Sequence, residues 1–350
     1  MISRAPPSGQ IQVQSFETSG GARIFQIPLH EFPMLLGFVY LVLVDGSSQE
    51  GYRVLIDTGS GFGDSNRDLE EGFEAVSHLI GQEINLSDLT HVLVTHGHID
   101  HFGGLPYVRE HTAARVGVHE LDVRNLTHHE ERLTVVTRRL QNYLVEAGVG
   151  PEVQNRIIEM YRLTKNFYQS VAVDFTYEAV GMQLGPFQML HVPGHCAGHV
   201  VIRLHDAIFA GDHVLDNISP HQSPEHLTLF TGLGHYLQSL DALQAWAETA
   251  RMTLAGHGEP ITNLPARIEA IRELHRQRLN RVMELLLHPL TIAEVSDQLF
   301  GEVNGYNVLL ALEEAGAHVE YLYQRGLLSI ANIADLEDGK EPAAIRYQKM

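Results

Sequence analysis

The sequence predicts an α/β fold, interrupted by a helical insertion and followed by a small helical domain. Three observations predict it. Short apolar runs bounded by Gly, Pro and Asp cluster in two groups, one from residue 22 to about 120 and one from 175 to 258, with helical patterning interleaved in each. Between the groups, residues 121–169 lose the alternation and become rich in helix formers. From about Pro265 the chain reads as helices without strands. The expected units are 1–264, with the insertion at about 121–169, then 265–332, then a loosely held tail at 333–350.

In chain order, "ARIFQI", "FVYLVLV" and "YRVLID" read as three strands, because β-branched and aromatic residues alternate within limits set by turn residues. "DLEEGFEAVSHLIG" carries apolar residues at helical spacing, and "LTHVLVTH" returns to a strand. After "RVGVHE" the insertion holds "EERLTVVTRRLQNYLVEAG" and "PEVQNRIIEMYRLTKNFYQ", both helical. Strands resume at "FTYEAV", "FQMLHVP", "HVVIRLH" and "AIFAGDH", then a helix at "GHYLQSLDALQAWAETA" and a short strand in "RMTLAGHG". The last region splits at "HPL" and "GEVNGY" into three helices, and "RGLLSI" is expected to begin a small wing, which gives a winged-helix-like module.

Composition limits the function classes. With 44% hydrophobic residues in 350, the chain can bury a large core. The N-terminus lacks an apolar targeting core, and "FPMLLGFVYLVLV" is too short to span a bilayer. A single cysteine, Cys196, excludes an intrachain disulfide framework, so a cytoplasmic location without membrane contact is expected. The net charge of −19 repels polyanions, which makes nucleic acid a disfavoured partner. Twenty-two histidines are the informative excess, since neutral imidazole is a common metal ligand. Scattered ones such as His30, His78 and His205 are expected to be ordinary surface or core residues.

One stretch, "THGHIDHFGG", puts His96, His98, Asp100 and His101 into six positions at the end of a strand. His96 and His98 are two apart, so they project to one side if the extended geometry persists, and Asp100 and His101 follow where the chain must turn. One loop can thus present two ligand pairs to two ions, with the remaining ligands coming from elsewhere. The later chain has candidates. "HVPGHCAGH" places His195, "IFAGDH" places Asp212 and "LAGHGEP" places His257, each at a strand end before a glycine or turn.

In this order these motifs, with "LIDTGS" ahead of them, resemble the metallo-beta-lactamase superfamily of dinuclear metal hydrolases over roughly residues 20–262. The resemblance implies a four-layer αββα sandwich with metals at one edge of its two sheets. It also implies that His96, His98 and His195 bind one ion, that Asp100, His101 and His257 bind the second, and that Asp212 bridges them. Asp57 would steady the ligand loop. Two divalent ions, zinc first with iron or manganese also suited to the donors, would share a hydroxide as nucleophile, and Asp100 would orient it and receive its proton. A bridging aspartate is absent from the true beta-lactamases of the superfamily, and His98 stands where its flavo-diiron oxidoreductases carry glutamate. Antibiotic hydrolysis and oxygen chemistry are therefore both disfavoured.

Cys196 points away from its neighbour His195 on an extended segment and is expected to be a packed residue. His199 and His213 follow the ligand motifs and are expected either behind the ligands or at the substrate; His128, His129 and His235 have no motif and are expected at the surface. In the insertion, "EMYRLTKNFYQS" offers Tyr161, Phe167 and Tyr168 as an apolar wall over the cleft, with Arg162 and Lys165 as positive charges for a substrate carboxylate or phosphate. The C-terminal module resembles that of the lactamase-beta-2-like branch, some of whose members cleave single-stranded RNA. Residues 265–350 hold nine Arg plus Lys against thirteen Asp plus Glu, however, and Arg272, Arg276, Arg278 and Arg281 are expected to be solvated or paired with acids such as Glu269 and Glu273. The module would pack on the catalytic domain or on another subunit, which leaves a homo-oligomer open. The expected activity is hydrolysis of an ester, thioester or lactone of a small or medium organic substrate; phosphodiester cleavage is the alternative.

Overall fold

The computed structural model describes residues 11–33, 35–46, 51–165, 167–337 and 343–350; the side chains of residues 164 and 165, including that of Lys165, lie outside the described residues. The first sheet runs β1 (Gln14–Glu17), β2 (Arg23–Phe32), β3 (Leu35–Val44), β4 (Tyr52–Ile56), β5 (His91–Leu93), β6 (Arg115–Val118) and β7 (Phe175–Thr176) in spatial as in chain order. Its first four strands are antiparallel and β4 to β7 are parallel. Beside it lie α1 (Ser65–Ile80), the one-turn α2 (Ile99–Phe102) and α3 (Leu105–His111). The second sheet comprises β8 (Gln183–Leu184), β9 (Phe187–His191), β10 (Val200–Leu204), β11 (Ala207–Gly211) and β12 (Met252–Ala255), antiparallel except for the β11–β12 pair. It is covered by α7 (Leu233–Trp246) and α8 (Leu264–Leu285).

Period-two alternation sorts the side chains into layers. In β3, Val39, Leu41 and Leu43 join a core with Leu69, Phe73 and Val76 of α1, while Tyr40 and Val42 face the other way. There they meet Phe187, Met189, Ile202 and Phe209 of the second sheet. That sheet's opposite face, with Val201, Ile208 and Ala210, packs on Leu240 and Leu243 of α7 and Ile268 and Ile271 of α8. The result is the α/β sandwich in four layers that the motifs implied. Strand β3 is apolar on both faces because both are covered.

The insertion folds as α4 (Glu120–Thr127), α5 (His129–Glu146) and α6 (Pro151–Lys165). The C-terminal region folds as α9 (Ile292–Phe300), α10 (Asn307–Gln324), β13 (Leu328–Ile330), α11 (Ile333–Glu337) and β14 (Tyr347–Lys349). These two regions share one core with the end of α8, in which Tyr143, Leu144, Ile157 and Ile158 meet Val282 of α8 and Val295, Leu312 and Val319. The C-terminal helices are thus packed on the insertion, about 150 residues earlier in the chain.

Three expectations need correction. "FTYEAV" is strand only at Phe175–Thr176, because the buried Tyr177 donates its hydroxyl to the carbonyls of Val94 and Gly117 and turns the chain into a short 3-10 helix. The tail is not loosely held where it is described: β14 pairs with β13, Tyr347 exchanges backbone hydrogen bonds with Leu290, and Arg346 meets Glu294. Five of its residues, 338–342, lie outside the described ones. His129 is buried against Phe102 and Tyr168, whereas His128 is exposed and His235 pairs with Glu225 at the partly open start of α7. Among the described residues no helix is long and apolar enough to cross a membrane.

Candidate metal centre

The site lies where strands end on one edge of the sandwich. His96 follows β5, His195 follows β9, Asp212 follows β11 and His257 follows β12, while α2 carries Asp100 and His101. At the end of β11 the register slips, and Gly211 adopts a left-handed φ of 49°, which re-aims Asp212 toward the cluster. A side chain on Gly256 would collide with Asp212 Oδ1 and the His101 ring, so the backbone itself forms one wall.

The seven side chains form two groups. His96, His98 and His195 bring one potential ligand atom each into mutual reach; Asp100, His101, Asp212 and His257 do the same. His96 Nε2 lies 3.0 Å from His98 Nδ1. Asp212 lies between the groups: its Oδ1 is 3.5 Å from His101 Nε2, and its Oδ2 is 3.6 Å from His257 Nε2 and 3.9 Å from His195 Nε2. Asp100 Oδ2 is 3.4 Å from His257 Nε2.

Outer hydrogen bonds fix which nitrogen faces inward. His101 Nδ1 donates to Asp57, His195 Nδ1 to the His221 carbonyl, and His257 Nδ1 to the Leu36 carbonyl, at 2.7–2.8 Å. Each Nε2 is thereby turned toward the cluster. Asp57 also accepts from the Thr95 amide and hydroxyl, tying the "LIDTG" loop to the ligand loop, and it holds a φ of 61° to do so. His199 accepts from the Asp212 amide and stacks on His96 at 4.4 Å. His213 is fully buried and edge-on to Tyr236.

The charge balance fits cations. Among the described residues His101 Nε2, His195 Nε2 and Asp212 Oδ1 are buried without a hydrogen-bond partner, a costly condition that a metal relieves. Burial, then neighbouring imidazoles, hold His96 well below the usual histidine range. Burial would also lower His257, but Asp212 and Asp100 outweigh it and raise it to about 9. His101 is likewise raised by Asp212 and Asp57 against burial. Protons on these two rings thus balance the carboxylates where a cation would. His257 must lose its proton to ligate, so metal uptake at pH 7.5 should release at least one proton per chain, and affinity should rise with pH up to about 9. Titration calorimetry in two buffers of different ionisation enthalpy measures this; a buffer-independent heat would contradict it.

Sequence reasoning missed Asp122, in the first turn of α4. Buried and acceptor-only, it takes hydrogen bonds from the amides of Gly97 and Gly198, from Asn125, and from the Cys196 thiol. One carboxylate therefore joins the loop of His96 and His98 to the loop of His195, and Cys196 is a buried donor to it. Glu31 of β2 was missed too. Fully buried, it accepts from the Ser60 amide beneath the "LIDTGS" loop, and burial followed by the nearby Asp100 pushes it up to about 7.

Of the expected cleft aromatics, Phe167 is 67% exposed and packs on Phe62. Tyr161 and Tyr168 are 8% and 6% exposed, in the insertion's core and the first-sheet core. His195 and Asp212 are both at 8%, so burial alone does not separate these tyrosines from the site. Arg162 is exposed. The four C-terminal arginines are all engaged: Arg272 with Asp241 and Glu269, Arg276 with Glu273, Arg278 with Glu314, and Arg281 with Glu284.

Two packed sheets with this histidine–aspartate edge define a metal-dependent hydrolase. The chain belongs to the metallo-beta-lactamase superfamily, whose family model matches residues 34–286. It is 28% identical over 304 residues to a probable metallo-hydrolase of Bacillus subtilis, covering 83% of this chain and 89% of that one. An atrochrysone carboxyl ACP thioesterase of Aspergillus fumigatus is 25% identical over 67% of this chain, which spans 42% of the thioesterase. An endoribonuclease of Schizosaccharomyces pombe is 31% identical over 37% of this chain, which spans 16% of it. The fold matches a metallo-beta-lactamase family protein of Thermus thermophilus with a TM-score of 0.70 at 24% identity, over 93% of this chain and 98% of that one.

Proposed function

We propose that the chain is a dinuclear hydrolase that cleaves an ester, thioester or lactone of a small or medium organic substrate. The observation that carries this reading is Asp212, whose two oxygens face nitrogens of both ligand groups. His96, His98 and His195 would hold one ion, Asp100, His101 and His257 the other, with Asp212 between; nitrogen and carboxylate donors suit zinc, and also iron or manganese. Bound there, the ions would supply an acidified water at neutral pH and Lewis acidity toward a carbonyl oxygen.

The chain's own residues supply the rest. Burial alone would raise Asp100, but the bond from His257 and the charges of His101, His257 and His98 hold it well below the usual carboxylate range. It is therefore an anion placed to orient the nucleophile by accepting its hydrogen bond, and a weak base toward its proton. Asp57, Asp122 and His199 keep the ligands aimed. Phe62 and Phe167, packed on each other, would offer an apolar wall, while Tyr161 and Tyr168 sit in the cores of the insertion and of the first sheet; such a wall suits an organic acyl group better than a polymer.

Phosphodiester cleavage is the second reading, favoured by the local likeness to the endoribonuclease. The net charge of −19 and the acid-paired arginines of α8 weigh against it. A panel of ester, thioester, lactone and phosphodiester substrates with metal-loaded protein decides between them. Acyl turnover should exceed phosphodiester turnover; cleavage of an oligoribonucleotide with no acyl turnover would install the second reading.

A further inference from the structure

His195 owes its orientation to a carbonyl outside any regular element. Its Nδ1 donates to the oxygen of His221 at 2.7 Å, in the irregular stretch between β11 and α7. Around His221 that stretch is anchored by the C-terminal helices. From α10, Glu313 meets His221 Nε2 at 2.8 Å, and Glu314 accepts from the Gln222 amide at 2.8 Å. From α8, Arg278 bonds both Ser219 Oγ and Glu314 Oε1, and Arg267 donates to the carbonyls of Leu215 and Ile218.

Glu314 is the hub. It is buried, and beside it His318 Nδ1 donates to its backbone carbonyl at 2.7 Å while His275 Nδ1 lies 3.1 Å from His318 Nε2. His275, Glu314 and His318 are close enough together to hold a metal. Both carboxylate oxygens are already taken, however, one by the Arg278 guanidinium and one by the Gln222 amide. A cation beside that guanidinium would face a like charge, so the cluster reads as a clamp. Burial would raise the Glu314 carboxyl, but His318, His221, Arg278 and His275 together hold it below the usual range, which keeps it an acceptor.

We propose that the C-terminal helices are part of the metal centre's scaffold: Glu314, assisted by Glu313, holds residues 219–222 so that the His221 carbonyl sets the tautomer and aim of His195. The inference rests on the reading of His195 as a ligand. Glu314 is a positioning residue, acting through the peptide between His221 and Gln222, whose amide lies 92 residues earlier in the chain.

The test uses the full-length, metal-loaded protein and chelator competition. In Glu314→Ala, one of the two ions should be lost about tenfold more readily while the other keeps its wild-type affinity. Glu314→Gln, whose carbonyl oxygen still accepts from the Gln222 amide, should recover most of the difference. In cobalt-substituted protein, the ligand-field bands of one site should shift in Glu314→Ala. If Glu314→Ala does not fold, Glu313→Ala, at a partly exposed position, should show the same one-sided loss in smaller measure. Wild-type retention of both ions in a less stable Glu314→Ala protein would overturn the proposal, as would equal loss of both. Three ions in the wild type with one missing from Glu314→Ala would overturn it as well, by making Glu314 a ligand. A wild type that takes up one ion removes the two-metal reading, and the comparison then falls on that ion; a wild type that takes up none removes both.

Discussion

Asp212→Ala is expected to strip both ions from the protein and to lower turnover by roughly a thousandfold. The carboxylate lies within 4 Å of a nitrogen from each ligand group, so its loss removes negative charge from both sides at once. A metal's Lewis-acid contribution is worth several kcal/mol, and each ~1.4 kcal/mol is tenfold in rate, which sets the magnitude. His257→Ala should differ in kind, weakening mainly the ion held with Asp100 and His101. Metal analysis alongside kcat separates the two variants. An Asp212→Ala protein that keeps one ion at full affinity would show that the aspartate belongs to a single site.

Asp122→Ala should be the most damaging substitution outside the ligands. Removing that carboxylate leaves the Gly97 and Gly198 amides, the Asn125 amide and the Cys196 thiol without their buried acceptor. Each unsatisfied buried donor costs about 1–3 kcal/mol, so a loss of roughly 4 kcal/mol or more in unfolding free energy is expected. Asn is no adequate substitute, because its amide would point a donor at one of the two glycine N–H groups. Denaturant melts of Asp122→Ala and Asp122→Asn measure this. A loss under about 1 kcal/mol in both would mean that the two loops hold their shape without Asp122.

The two side-chain groups were legible because their members are local: "THGHIDHFGG" compresses four candidate ligands into six positions, and the others sit beside glycines at strand ends. The layers were legible for a similar reason, since β3 alternates cleanly between two cores. Asp122 was not. Its meaning lies in amides 25 and 76 residues away, and an isolated acid at a helix start looks like any helix-favouring residue. Glu314 was hidden likewise, in "ALEEAG", where one acid of a pair is half-open and the other is buried. The pairing of β14 with β13 escaped because "IRYQKM" at a charged terminus carries no turn joining it to "LLSI". His129 escaped because its neighbour His128, with the same local context, is exposed; packing against Phe102 and Tyr168 distinguishes them.

A two-ion centre built by seven side chains is checked by metal content and anomalous diffraction on wild-type protein saturated with zinc. Two ions per chain are expected, one peak among His96, His98 and His195 and one among Asp100, His101 and His257, with Asp212 reaching both. A saturated protein with a single ion, or with ions elsewhere, would contradict a two-ion centre at these residues.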